Sequence, residues 1–164
     1  MRMWDYELIS IEASTSDPDK LSNDFRVKQN RKGEIYFDGY IYFNYDFANF
    51  GTMVESSAMR SQAGNENEYA PVIWSIPKET YDEFMENYYK DIIYSNVGSC
   101  TNLPEPENIV PWKSHNYTFV NCKIEPHGFP DIVPQGYYRV NFKVTGEVNW
   151  GFVGVVRVFD KYGH

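Results

Sequence analysis

Three histidines, two cysteines and 23 acidic side chains are the groups with which this chain of 164 residues could do chemistry. The histidines, His115, His127 and His164, come without a His-x-x-x-His pair, a Cys-x-x-Cys or an acidic calcium loop. Cys122, Glu125, His127 and Asp131 fall together near the end of a strand, but their spacing matches no established metal site. Cys100 or Cys122 with His115 or His127 would be needed for a thiol dyad. Cys122, however, shares an apolar strand face with Val120 and Ile124 and reads as a buried, inert thiol, and Cys100 sits in a loop with no obvious base. No Gly-x-Ser-x-Gly is present, and Gly33, Gly51 and Gly64 stand alone rather than in a phosphate loop. Asp38 and Asp46 lie on one face of one strand, about 26 Å apart at about 3.3 Å per residue. Paired glycosidase carboxylates need about 5 to 9.5 Å. The expectation is a protein that is not an enzyme and carries no metal or cofactor.

Binding chemistry is better supplied. Residues 34–47, EIYFDGYIYFNYDF, alternate strictly. Ile35, Phe37, Gly39, Ile41, Phe43, Tyr45 and Phe47 fall on one side, and Tyr36, Asp38, Tyr40, Tyr42, Asn44 and Asp46 on the other. The second set interleaves aromatic rings with hydrogen-bonding groups. Such a strip suits a protein interface, a sugar-binding surface, or an inner face covered by a helix whose own Tyr81 and Tyr88 are equally amphipathic. A second binding candidate is residues 96–113, NVGSCTNLPEPENIVPWK, with three prolines and no periodicity. Leu103, Ile109, Val110 and Trp112 punctuate it. An apolar-studded arm of this kind can lie on a neighbouring molecule, or fold back over its own domain.

The elements that must hold these residues are mostly strands. Residues 4–12 form a first strand whose apolar phase flips between Leu8 and Ile9, the mark of a bulge. Residues 25–29 form a short strand and turn through 30–33 into the long 34–47 strand. Thr52-Met53-Val54-Glu55 has the capping-box pattern, with Gly64 as the stop of a short helix, although an irregular excursion fits as well. Residues 72–76 are a buried strand. Tyr81, Phe84, Met85, Tyr88 and Ile92 share one helical face, so the spacing predicts a helix over 77–94, with Ser75 as N-cap and Pro77 in its first turn. Strands follow at 116–124, 137–150 and 152–159. Asn149-Trp150-Gly151 is the expected turn between the last two, with Thr145-Gly146-Glu147 as the other place where the chain can bend. The fold class is a β-rich α+β domain spanning 1–164: a mainly antiparallel sheet or sandwich, one amphipathic helix packed on it, and long Pro-rich loops.

Bulk properties bound the rest. A net charge of −8 argues against nucleic acid or an anionic membrane as direct partner. The first residues carry acids where a signal peptide needs an apolar run, and no stretch approaches the roughly 20 apolar residues that cross a bilayer. Cytoplasmic synthesis, with residence in a virion as one destination, is therefore the expected localisation. In that setting Cys100 and Cys122 stay reduced and the sequon Asn116-Tyr117-Thr118 has no use. Aromatic residues make 18% of the chain, with 14 Tyr whose hydroxyls need wet edges or partners. The expected function is a structural or interaction protein, a subunit of a larger oligomeric assembly such as a phage tail or connector, contacting copies of itself or other subunits. The alternatives are an acidic inhibitor of a basic partner, and a glycan-binding module using Tyr36, Tyr40 and Tyr42.

Overall fold

The computed structural model describes residues 2–47, 50–124 and 129–162. Eight strands are found among them, in two antiparallel sheets facing each other as a sandwich. The larger sheet has the order β1-β8-β7-β4-β5, from β1 (Trp4–Thr15), β8 (Trp150–Asp160), β7 (Gly136–Thr145), β4 (Met53–Ser61) and β5 (Ala70–Thr80). The smaller has the order β2-β3-β6, from β2 (Leu21–Gln29), β3 (Ile35–Phe43) and β6 (Asn116–Cys122). The β-rich α+β class is thus the observed one, with a single helix packed on the sheets.

Strand alternation places the core. In β3, Phe37, Ile41 and Phe43 are buried and meet Leu21 and Phe25 of β2, Tyr117 and Phe119 of β6, and Leu8 of β1. The bulge read at Leu8–Ile9 is present: the register of β1 against β8 slips between Leu8 and Ser10, leaving Ile9 exposed while Ile11 and Ala13 return to the core.

The second layer is completed by α1, a helix over 81–97 that continues into the turn Gly98–Cys100. The three-stranded sheet covers the β1-β8 side, and α1 covers the other, burying Tyr81, Phe84, Met85 and Tyr89 on Val54, Ile76 and Val144. The expected helix start at Pro77 is corrected: β5 runs on to Thr80, whose hydroxyl caps the helix by accepting from the Glu83 N–H at 3.2 Å. Pro71 and Pro77 are tolerated because β5 is an edge strand with register slips. Over Met85–Tyr94 the helix widens to i→i−5 hydrogen bonds, as from Ser95 N–H to Lys90 C=O. The wider turn moves full burial from the expected Tyr88 to Tyr89.

Further expectations are corrected. The capping-box segment at Thr52 is not a helix; it enters β4, a central strand whose Val54, Ser56 and Ala58 alternate inward. The helix end extends into the stretch read as loop from residue 96. The β7–β8 connection bends at 146–149, nearer the alternative Thr145-Gly146-Glu147 than Asn149-Trp150-Gly151, so Trp150 and Gly151 belong to β8, and β6 stops at Cys122. Cys100 and Cys122 are not free thiols. They form a disulfide that ties the end of α1 to the end of β6.

Candidate functional site

The outer face of the small sheet carries the tyrosine strip. Cross-strand neighbours share a face, so Tyr36, Asp38, Tyr40 and Tyr42 lie between Lys28, Arg26, Asp24 and Ser22 on one side and Thr118 and Asn116 on the other. Several of these groups are committed locally. Asp38 accepts from the Asn121 N–H at 2.7 Å and from Lys28 Nζ at 2.6 Å, and these bonds hold its carboxyl below the usual carboxylate range. The Tyr36 hydroxyl donates to the Glu34 carboxylate at 2.6 Å, which lowers the acid and raises the phenol. Asn44, just past β3, donates to the Asp19 carbonyl at 3.2 Å. The hydroxyls of Tyr40 and Tyr42 have no hydrogen-bond partner among the described residues, and Tyr42 is 41% exposed.

The Pro-rich segment lies over its own molecule. Trp112 sits among Tyr117 at 5.1 Å, Tyr89 at 6.1 Å, and Tyr81 and Phe43 at 6.3 Å between ring centroids. Leu103 packs on the core between the sheets and Ile109 on the core under α1, whereas Val110 points outward, 73% exposed. Tyrosine hydroxyls fasten the loops: Tyr89 donates to the Pro104 carbonyl, Tyr117 to Lys113, Tyr138 to Pro134 and Tyr6 to Ile124. Four of the 14 tyrosines thus serve as tethers, each with an apolar ring in the body and a hydroxyl on a loop carbonyl.

A concavity lies where the sheets part. β1 and β2 are pinned together at one end, where Thr15 Oγ1 donates to the Leu21 carbonyl at 2.8 Å and Asn23 Nδ2 to the Ser14 carbonyl at 3.1 Å. Away from that corner they diverge, and a cleft of about 320 Å³ opens between the start of β1 and the start of β3. Leu8, Ile35, Phe37, Ile124 and Phe159 give it apolar walls, with Cys122 beside them. Asp5, Glu7, Gln29 and Lys123 stand at its rim. The segment 130–131 runs along the start of β1, accepting from Trp4 Nε1 and the Met3 N–H at 2.8 and 2.9 Å. Next to it Ile132 is 77% exposed.

No three His, Cys, Asp or Glu side chains gather to hold a metal among the described residues. His115 is exposed, 3.3 Å from Asn102 Nδ2, and Cys122 is spent in the disulfide. Glu125 and His127 lie outside the described residues. The cleft was invisible to periodicity because its residues come from five separate segments and, taken one strand at a time, look like ordinary core. Only the phase flip in β1 hinted that this end of the sandwich is irregular.

A family model matches residues 54–140, 87 of the 164, under the description "Protein of unknown function (DUF1091)". The match runs from β4 through α1, both cysteines and β6 into β7. Among curated proteins none matches.

Proposed function

Since the chain belongs to this DUF1091 family, whose description assigns no activity, we propose on physical grounds that it is a binding protein of an oxidising compartment that takes an apolar small molecule into the cleft between its sheets. The carrying observation is that cleft. At about 320 Å³ it falls at the lower end of the roughly 300–1,000 Å³ of small-molecule sites, and its lining combines apolar side chains (Leu8, Ile35, Phe37, Ile124, Phe159) with polar and charged ones (Asp5, Glu7, Gln29, Lys123). The ligand class is a molecule with a chain-like or flat apolar body, held by Leu8, Ile35, Phe37 and Phe159, and a polar end left at the rim near Gln29 and Lys123. The disulfide supports the compartment, because such bonds persist where glutathione does not reduce them.

The test is a titration with N-phenyl-1-naphthylamine, which fluoresces when it leaves water. Enhancement that is displaced by a long-chain fatty acid, and an Ile35→Trp variant that fills the cleft and binds about tenfold more weakly, roughly 1.4 kcal/mol, is the expected result. Folded protein that neither enhances the probe nor changes with Ile35→Trp would overturn the reading.

A second reading is contact with another protein through the outer face of the small sheet, as a subunit of an assembly. The observation favouring it is that Tyr42 and Val120, the latter 59% exposed, lie on one face without a cover. Self-association that Tyr42→Ser or Val120→Ser abolishes would support it over the cleft.

A further inference from the structure

The disulfide removes the premise on which the sequon at Asn116 was set aside. A chain that closes Cys100 to Cys122 does so where thiols are oxidised, and in eukaryotic cells that is also where asparagines in Asn-x-Ser/Thr are modified. Asn116-Tyr117-Thr118 is the one such triplet in the 164 residues. Its central residue is not proline.

Geometry adds the second, independent support. Asn116 opens β6, with Tyr117 and Phe119 buried on the inner face; Asn116 and Thr118 therefore face outward. Asn116 is exposed, and its carboxamide has no hydrogen-bond partner among the described residues. Its backbone does hold structure: its C=O accepts from Asn102 Nδ2 at 3.0 Å. A group attached to the side chain would leave the ladder and the core untouched.

The surface awaiting that group is unusual. Asn116 pairs directly with Tyr42, and Thr118 with Tyr40. Directly opposed residues in an antiparallel pair have Cβ atoms about 4.5–5.5 Å apart. A sugar on Asn116 Nδ2 would thus begin beside the 41% exposed Tyr42 ring, which offers a flat apolar face to the C–H side of a pyranose.

We infer that Asn116 is an N-glycosylation site, and that the first sugar of its glycan lies against Tyr42. A host transferase makes the link from a polyprenyl-diphosphate-bound oligosaccharide. The bond from the anomeric carbon to the diphosphate oxygen breaks, and the diphosphate leaves with the electron pair. The anomeric carbon bonds to Asn116 Nδ2, and the displaced amide proton passes to a base of the transferase. Nothing is oxidised or reduced. The glycan covers the Tyr40–Tyr42 end of the strip on the outer face of the small sheet and leaves the cleft end, where β1 and β3 part, open.

The experiment expresses the full chain behind a secretion leader in insect or mammalian cells. Peptide mass mapping is done before and after peptide-N-glycosidase F, which converts a glycosylated Asn to Asp. The expected result is a modified Asn116 peptide that becomes the Asp form, lost in both Asn116→Gln and Thr118→Ala and kept in Thr118→Ser. An unmodified Asn116 in secreted protein with the disulfide intact would overturn the site. Tyr42→Ala tests the packing: the glycan stays, but native-state release by the glycosidase accelerates several-fold. An unchanged release rate would overturn the contact with Tyr42. Because Asn116→Gln keeps the cleft, probe binding by that variant is read separately from this outcome.

Discussion

Gly39 stands directly opposite Phe25 in the β2–β3 ladder, and the Phe25 ring lies over it. A Cβ at Gly39 would stand 2.2 Å from that ring and 2.7 Å from the Asp24 carbonyl oxygen, which is backbone and cannot swing aside. Phe25 has nowhere to retreat, since its ring also meets Phe37, Phe119 and Phe152 at 5.5–6.2 Å. Gly39→Ala is expected to destabilise by about 2–3 kcal/mol through overpacking, measured by urea denaturation with an unchanged slope. A loss under 0.5 kcal/mol (about the noise of a surface change) would mean the ring is free to move. Tyr81 carries the opposite prediction. Its hydroxyl is buried without a hydrogen-bond partner among the described residues, and burial pushes its pKa well above that of an ordinary phenol. Tyr81→Phe removes an unsatisfied group and keeps the ring contacts with Phe47 and Trp112, so stability should hold or rise by about 1 kcal/mol. A clear loss in the same denaturation assay would show that the hydroxyl is bonded in solution. At this scale the alternation of β3 told which side of each residue faces inward. It could not tell that Gly39 is a seat for Phe25 or that Tyr81 is orphaned, because both depend on which strand or loop lies opposite.

Among the elements, β4 was the hardest to read and the reason is local. A central strand usually announces itself by an apolar alternation, but β4 buries Ser56 between Val54 and Ala58, with the hydroxyl satisfied by the Asn141 carbonyl at 2.9 Å. Its inward face therefore looks polar, while Thr52 and Glu55 imitate a helix start. β3, β7 and α1 were legible because packing there rests on large apolar side chains at regular spacing. The link between α1 and β6 was not: nothing in a spacing of 22 residues says that two cysteines meet. Closing that 22-residue loop restrains the unfolded chain, and the chain-entropy relation gives about 3 kcal/mol. The double variant Cys100→Ser/Cys122→Ser should lose that much in chemical denaturation, and reductant should lower the melting temperature of the parent but not of the variant. Equal stability with and without reductant would show that the joint between helix and sheet is held by the Trp112 cluster instead.

At the scale of the molecule the question is whether the sandwich works alone. Each sheet edge carries a device against pairing with another chain. β5 has Pro71 and Pro77 and two register slips. β1 has a bulge, and the segment 130–131 lies along its start. β6 is already engaged, through the Thr101–Phe119 bridge and the Thr118 N–H donated to Asn102 Oδ1 at 2.7 Å. β2 is joined to β1 at its start through Thr15 and Asn23, and further along it presents the exposed Arg26. The segment with the composition of an intermolecular arm is folded against α1, and the chain carries a net charge of −8, which opposes self-contact at low salt. The expected outcome of light scattering across a concentration series is therefore the mass of one chain throughout, with a probe Kd that does not change with protein concentration. The unglycosylated protein gives the stricter version, because it leaves Tyr40, Tyr42 and Val120 bare. If that form associates as concentration rises while the glycosylated form stays monomeric, the glycan is what keeps this face from other proteins. If both forms associate, the outer sheet face is an interface in its own right, and the assembly reading gains over the binding cleft.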